Sequence, residues 1–574
     1  MDRGMERCCG NMMRRIAVLT YLLALLAPLT LATVRLLQTA GNGPLTSVLT
    51  FSEHPFGDGA LRTSLVIASL STLLTVAIGT PLAWWLGHHD GRGHGVFRAT
   101  LTLPFLMPTV VCVVGFLTLM GPEGPLVHLG IDLRRGTGAI GRASRMVGIE
   151  DLGLWIALLT AHAWFNIALV IRFLDPLLRT LDDALLDQLR VLPRTRTRLG
   201  RLRHLWIPLC WPPVVAGAAL TFIQCFTSFV LVRHLLPTHW TIERVMAEQG
   251  GAAGIEGYGA AASSMVLGGA IIQVTIVVAA TWALGQSQRR MSTSTPLRTE
   301  HGRHPNPPPL LAWVTLACAS CLAVLPLLAV ASSSVLIRGV PSVEGWVELS
   351  DGIGAGSVGS GLRWSLVHAV VTLGLGLPLA WCLASAIVDL ERSGKVKLAA
   401  LLDAASVLPI GLSAALIGLG ILVAVVWLHP PLLQAWWLAT WAHLLLSMPF
   451  AVRVLLGGFR RLDPNFTSLG KVLGLTPWRR WWRITLPLMR RPTIAAGAMI
   501  LAVSLGEFGS SWVLLQSSGQ RTLPLLIDAQ YARAAFDPIV RTTAAAGATV
   551  LILITGMLFL LIERRRDLSD TGGF

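Results

Sequence analysis

Twelve apolar runs, each about 20 residues long and so able to cross a bilayer as a helix, constrain this chain more than anything else in it. They fall at 14–37, 61–86, 98–120, 152–174, 210–232, 262–284, 310–332, 362–388, 398–428, 434–456, 492–515 and 541–563. In hydrocarbon every backbone polar group must find its partner inside the protein, which makes the helix the natural element for such a run. Of the 574 residues, 53% are hydrophobic and 13% charged, against about 25% charged in a soluble domain. The sequence therefore predicts an all-α integral membrane protein of about 12 transmembrane helices.

The net charge of +16 suits nucleic acid in a soluble protein, but here topology accounts for it. With the N-terminus in the cytosol, the cytosolic segments hold 31 of the 46 Lys and Arg and the external loops hold 10. That asymmetry follows the positive-inside rule, puts both termini in the cytosol and removes the need for a nucleic-acid partner. The external loop at 121–151 runs against the rule with Arg134, Arg135, Arg142 and Arg145. The first run is longer than the apolar region of a signal peptide, and cleaving it would leave an odd number of crossings. The cysteines form no disulfide framework. Cys8 and Cys9 lie in the N-terminal tail, and Cys318 and Cys321 lie in an apolar run, where Cys serves as a small hydrophobe.

The chain repeats itself. Ser64-Leu65-Val66 recurs as Ser365-Leu366-Val367, and Gly79, Pro81, Leu82, Ala83 and Trp84 recur as Gly376, Pro378, Leu379, Ala380 and Trp381. Leu103-Pro104 recurs as Leu408-Pro409, and Ala216-Gly217-Ala218 as Ala496-Gly497-Ala498. The matches keep one order, which predicts two homologous six-helix halves, 1–284 and 310–574, in the same membrane orientation. Ser, Thr, Pro and Arg dominate 285–309, the composition of a flexible cytosolic linker.

Each half also carries a long basic loop between its fourth and fifth runs, at 178–208 and 458–491. The second reads LDPNFTSLGKVLGLTPWRRWWRITLP from Leu462 to Pro487, and the first LDDALLDQLRVLPRTRTRLGRLRHLWIP from Leu181 to Pro208. Anchoring to lipid needs only a few basic residues beside a helix, so loops of this length suggest docking of a cytosolic partner. In the second, Gly474, Ile484, Leu486 and Pro487 stand at the spacing of the "EAA" loop of ABC importer permeases. Ser468-Leu469-Gly470 occupies the Glu-Ala-Ala positions, so the triplet itself is absent, and Asp463 opens the copy. In the first, Asp182 and Asp187 precede Pro193, which stands where Gly is expected, and two extra residues precede Pro208.

On these motifs nearly the whole chain resembles a fused permease of a binding-protein-dependent ABC importer of the type I fold. CFTSFVLV followed by Thr241-Ile242-Glu243, and GEFGSS followed by Thr522-Leu523-Pro524 and Tyr531, are similar to the thiamine permeases, and the ferric-iron permeases share Glu-Phe-Gly. The resemblance implies a bacterial plasma-membrane protein working with a cytosolic ATP-binding subunit dimer and an extracytoplasmic substrate-binding protein. It also implies alternating access driven by that ATPase, through coupling residues Asp182, Asp187, Pro193, Pro208, Asp463, Ser468, Gly470, Gly474, Ile484 and Pro487. Thiamine or its phosphate is the expected substrate, with ferric iron as the alternative.

No enzyme chemistry is visible. The phosphate-cradling GxxxxGK[S/T] loop is absent, since Gly394-Lys395 and Gly470-Lys471 are each followed by Val. Ser517-Ser518-Gly519-Gln520 resembles a fragment of an ATPase signature but lacks companion motifs. His88, His89 and His94 share a loop without Cys or carboxylate at ligand spacing, so neither metal nor cofactor is expected. Glu507, within SLGEFGSSW, is placed inside the eleventh run; an acid there faces a cavity and draws a cation, or pairs structurally. Thr227, within CFTSF, is its match in the first half through the Ala-Gly-Ala repeat.

Two other classes fit part of the pattern. Asp90, Arg92 and Gly93, with Asp389, Arg392, Gly394 and Lys395, faintly resemble the basic motif of ion-coupled twelve-helix carriers, but those do not put their longest basic loops here. A scaffold without transport has only the missing catalytic site in its favour.

Overall fold

The computed structural model describes residues 2–563 except 90–92, 122–123, 135–136, 180–196, 258, 295–308, 338, 352–356, 516–518 and 532–537. Among the described residues nine helices are long and apolar enough to cross a membrane, and three bent pairs raise the number to 12 if each pair is one crossing. They fall on the twelve predicted runs, and the described residues are all-α apart from a short two-stranded pairing, Leu336–Ile337 with Val340–Pro341.

Two of the runs bend at segments where Pro and Gly interrupt the apolar sequence, LPFLMP at 103–108 and LPIGLS at 408–413, and a third bend lies just ahead of the eleventh run. His94–Leu106 meets Thr109–Leu119 at 103°, Val396–Leu412 meets Ala414–Leu428 at 94°, and Pro477–Leu488 meets Arg490–Gly506 at 77°. At the first bend Pro104 and Pro108 supply no backbone donor, so the ladder stops. At the second Ser413 takes φ 62°, unusual for any residue but Gly. Its Oγ accepts from the Leu416 N–H at 3.2 Å and so caps the helix that follows. The run at 210–232 is also interrupted: its helix ends at Phe226 and resumes as Val230–Leu235.

The chain forms two compact units. One comprises Met1–Phe51, Val245–Ile271 and Glu344–Phe574, the other Ser52–Arg244 and Ile272–Val343. Each thus takes segments from both sequence halves. The helix from Ala260 continues to Ser294, into the segment expected as linker.

Within the first unit, the Arg14–Ala40 helix is held along its length. Tyr21 Oη donates to the Ala405 carbonyl at 3.2 Å, and Trp441 Nε1 donates to the Ala24 carbonyl at 3.0 Å. Ala24 lies four residues before Pro28, so the indole satisfies a carbonyl that Pro28 cannot. Within the second unit a Trp again bonds a helix carbonyl near a Pro, though not the one that the Pro frees: Trp164 Nε1 donates to the Ala323 carbonyl at 2.9 Å, three residues before Pro326. There the Ala60–His88 and Leu152–Arg179 helices approach so closely that a Cβ on Gly79 would meet Val170 Cβ at 2.9 Å. Leu82, Leu86, Ile171, Leu174 and Leu178 bury one another along that contact.

Each unit ties its bent pair to the following long helix with an ion pair. In the second unit Arg98 Nε and Nη2 donate to the two carboxylate oxygens of Asp175 at 2.8 and 3.0 Å, with both side chains largely buried. In the first unit the polarity is reversed: Asp403, at the position the Leu-Pro repeat assigns to Arg98, faces Arg453 at 3.4 Å. Removing one partner of a buried pair leaves an uncompensated charge and costs about 3–5 kcal/mol. Arg98→Ala should therefore lower the thermal unfolding midpoint of the detergent-purified protein markedly, and the R98D/D175R exchange should restore much of it. An unchanged midpoint for Arg98→Ala would refute this account of the pair.

Candidate functional site

The second basic loop builds a helical hairpin. The Asp463 Oδ1 accepts from the Asn465 N–H at 2.9 Å and opens the Pro464–Val472 helix, which contains Ser468. Gly474 ends it at φ 69°, and the Leu475 N–H returns to the Gly470 carbonyl at 3.0 Å, a glycine C-terminal cap. Space around Gly474 is open, so backbone conformation and not packing requires glycine there. Thr476 then caps Pro477–Arg480, its Oγ1 accepting from the Arg479 N–H at 3.4 Å. The chain returns antiparallel enough that a Cβ on Gly470 would meet Ile484 Cδ1 at 2.8 Å. Two motif positions separated in sequence, Gly470 and Ile484, are thus brought together at the base of the hairpin, and Pro487 lies exposed beyond them.

Asp182, Asp187 and Pro193 of the first loop lie outside the described residues. From Thr197 onward the two loops match residue for residue. Arg198–Arg201 corresponds to the whole of Pro477–Arg480, and a five-residue π turn follows in each, Leu202–Trp206 and Trp481–Thr485. Each π turn ends two residues before its Pro, Pro208 or Pro487. Aligning on that Pro therefore sets the register, and the two extra residues fall before Thr197.

Glu507 is not inside a continuous helix, as the eleventh run suggested. The helix ends at Gly506, Glu507 is extended (φ −69°, ψ 124°), and a new helix runs Gly509–Leu515. Glu507 Oε1 accepts from the Ser510 N–H at 2.8 Å and from the Ser510 Oγ–H at 3.0 Å. The carboxylate caps the N-terminus of the new helix, where backbone donors and the helix dipole favour a negative charge. In the other unit Thr227 closes the Ile207–Phe226 helix, its Oγ1 donating to the Ile223 carbonyl at 2.9 Å.

A buried histidine marks each break, and sequence reasoning passed over both. His162 bonds Ser71 Oγ and Ser228 Oγ, each at 2.9 Å. His443 bonds Ser504 Oγ and Ser511 Oγ, each at 2.9 Å. A neutral imidazole has one donor and one acceptor nitrogen, and a hydroxyl serves either, so each ring is satisfied. The signal was available: HAWF and HLLL place His at corresponding points of two apolar runs. With Ser228 matched to Ser511 through these contacts, Gln224 takes the position of Glu507, and Thr227 falls level with Ser510. His368 lies beside His443, ring centroids 5.5 Å apart, and bonds Thr440 Oγ1 at 2.7 Å. The loop histidines also pack on aromatics: His88 stacks on Trp84 at 3.8 Å, and His94 meets Trp313 edge-on at 5.7 Å.

If the His443–Ser511 bond holds the break, His443→Ala and Ser511→Ala should each destabilise the protein, and the double variant by less than their sum. A coupling energy of about 1 kcal/mol is expected from a contact of this kind. Strict additivity in thermal unfolding would show that the bond contributes nothing.

No protein-family model matches the chain. It is 24% identical over 561 residues to the thiamine transport system permease protein ThiP of Brucella abortus, spanning 95% of this chain and 93% of that one. It is 31% identical over 211 residues to the putative 2-aminoethylphosphonate transport system permease protein PhnV of Salmonella paratyphi A, covering 36% of this chain and 75% of that one. It is 28% identical over 185 residues to the molybdenum transport system permease protein ModB of Azotobacter vinelandii, covering 32% of this chain and 73% of that one. With about twelve bilayer crossings and a likeness to transport permeases that in one case runs end to end, the chain is a multi-pass membrane protein of the ABC importer permease family, with both permease copies fused in one polypeptide.

Proposed function

We propose that this permease imports thiamine or a thiamine phosphate. The observation that carries the reading is collinearity: the likeness to the Brucella abortus thiamine permease runs over 95% of this chain, whereas the phosphonate and molybdenum permeases match 36% and 32% of it. In this reading 1–284 and 310–574 are the duplicated permease halves, both termini and both basic loops face the cytosol, and an extracytoplasmic binding protein delivers the substrate. A cytosolic ATP-binding subunit, as a dimer, hydrolyses ATP and switches the cavity between outward and inward access. The Pro464–Val472 helix is the docking element of the second loop. Its exposed Phe466, Leu469 and Val472, with Leu473 just beyond, form an apolar face suited to a groove in that subunit.

The test is reconstitution. Liposomes holding the chain, its genomically neighbouring ATPase and binding protein should take up labelled thiamine with ATP inside, and the chain alone should take up none. Uptake by the chain alone under a proton or sodium gradient would overturn the ABC mechanism. ATP-dependent uptake of another solute, with thiamine ignored by the binding protein, would overturn the substrate.

Glu507 is the pathway residue in this reading. An uncompensated acid at membrane depth costs about 2.5–3.5 kcal/mol on insertion scales, and the cap on Ser510 offsets part of that while leaving the charge available to a cationic substrate. Glu507→Gln keeps a capping oxygen and removes the charge, so it should slow thiamine uptake severalfold with normal expression and ATPase assembly. Uptake at the wild-type rate would assign the carboxylate to capping alone.

A further inference from the structure

We infer that the segment Pro477–Leu488 is an interfacial anchor for anionic phospholipid headgroups of the cytosolic leaflet, separate from the docking helix before it. With Arg490–Gly506 as the crossing, the 77° bend turns Pro477–Leu488 close to the membrane plane. Its inner side is fixed: Trp481 stacks with Trp478 at 5.1 Å and meets Trp381 edge-on at 6.0 Å, while Ile484 reaches towards Gly470. Its outer side carries Trp478 and Trp482, 70% and 58% exposed, together with exposed Arg479 and Arg483. From Pro464 to Gly506 the sequence contains no Asp or Glu, so nothing on this stretch neutralises its Arg residues.

Trp is the side chain of the membrane–water boundary, with an apolar ring for the acyl region and an N–H for the headgroups. Arg beside it supplies charge complementary to phosphate. Gly474 turns the chain between this face and the apolar face of Pro464–Val472, which has neither Trp nor Arg. In the other unit Leu199 stands at the place of Trp478 and Leu202 at that of Trp481, so the Trp–Arg face belongs to the second loop alone.

The inference rests on the cytosolic placement of the loop proposed above, and the test is made without the ATPase so that the two readings fail separately. The full chain is placed in nanodiscs of equal parts phosphatidylcholine and phosphatidylglycerol, with one lipid or the other brominated to quench nearby Trp emission. The signal of Trp478 and Trp482 is the part lost in the W478F/W482F variant. That signal should be quenched preferentially by brominated phosphatidylglycerol, by up to about thirtyfold in apparent affinity given two Arg near the surface, and the preference should fall in high salt. R479Q/R483Q should abolish the preference, and R479K/R483K, a control for folding, should keep it. Equal quenching by both lipids, or none, would overturn the anchor. So would shielding of these Trp residues only when the ATPase is added, which would make the face a second docking surface.

Discussion

Among the described helix breaks, those at Ser413 and Gly506 are made where the freed backbone groups find a side-chain partner, because hydrocarbon offers none. Ser413 caps the helix that starts beyond its own strained residue, and Glu507 caps the one that starts after Gly506. Trp441 takes the carbonyl that Pro28 leaves without a donor. Water would do this work in a soluble protein and would leave the break free to move. Here the breaks at Ser413 and Gly506 are each held by a named side chain, which ties the direction of the helix beyond to the fold.

Those partners give the interruptions a chemistry that a continuous span lacks. A continuous apolar helix presents only side chains to its neighbours. An interrupted one presents backbone donors, acceptors and a helix terminus at membrane depth, which can meet a polar or charged solute. The breaks after Phe226 and Gly506 correspond across the duplication, each tied to the preceding long helix by a doubly bonded histidine, but one presents Gln224 and the other Glu507. Fusion of two copies in one chain permits that divergence, since neither copy must pair with itself.

The sequence was legible where hydropathy decides. All twelve runs correspond to helices or helix pairs, because burial in lipid overrides local preference along a run of that length. The bend angles were not legible, because a hydropathy window measures what a segment is made of and not which way its axis points. LPFLMP at 103–108 and LPIGLS at 408–413 signalled that two spans break, but not that Ser413 takes a left-handed backbone. Gly474 was singled out by spacing, and its φ of 69° is one that glycine takes at no steric cost. Glu507 was found as an acid in an apolar run, but its bond to Ser510 depends on a break that spacing does not reveal. Matching Thr227 to it relied on Ala-Gly-Ala, a motif three residues out of step with the histidine contacts. The 77° turn between Pro477–Leu488 and Arg490–Gly506 was hidden for the same reason as the other bend angles.

The reversed ion pairs bear on how a duplicated chain finds its own fold. Two homologous copies on one polypeptide always hold the wrong partner helix at high local concentration. Had both units used the same polarity, the bent pair of one copy could settle on the long helix of the other with its charges satisfied. With Arg98–Asp175 in one unit and Asp403–Arg453 in the other, that exchange would leave Asp403 opposite Arg172, the match of Arg453, but would set Arg98 against Leu456, which stands where Asp175 does. A buried Arg stripped of its carboxylate is an uncompensated charge and costs several kcal/mol. The pair that adds little net stability to the correct fold thus discriminates against the nearest incorrect one, a proofreading role that appears only when the two copies share a chain.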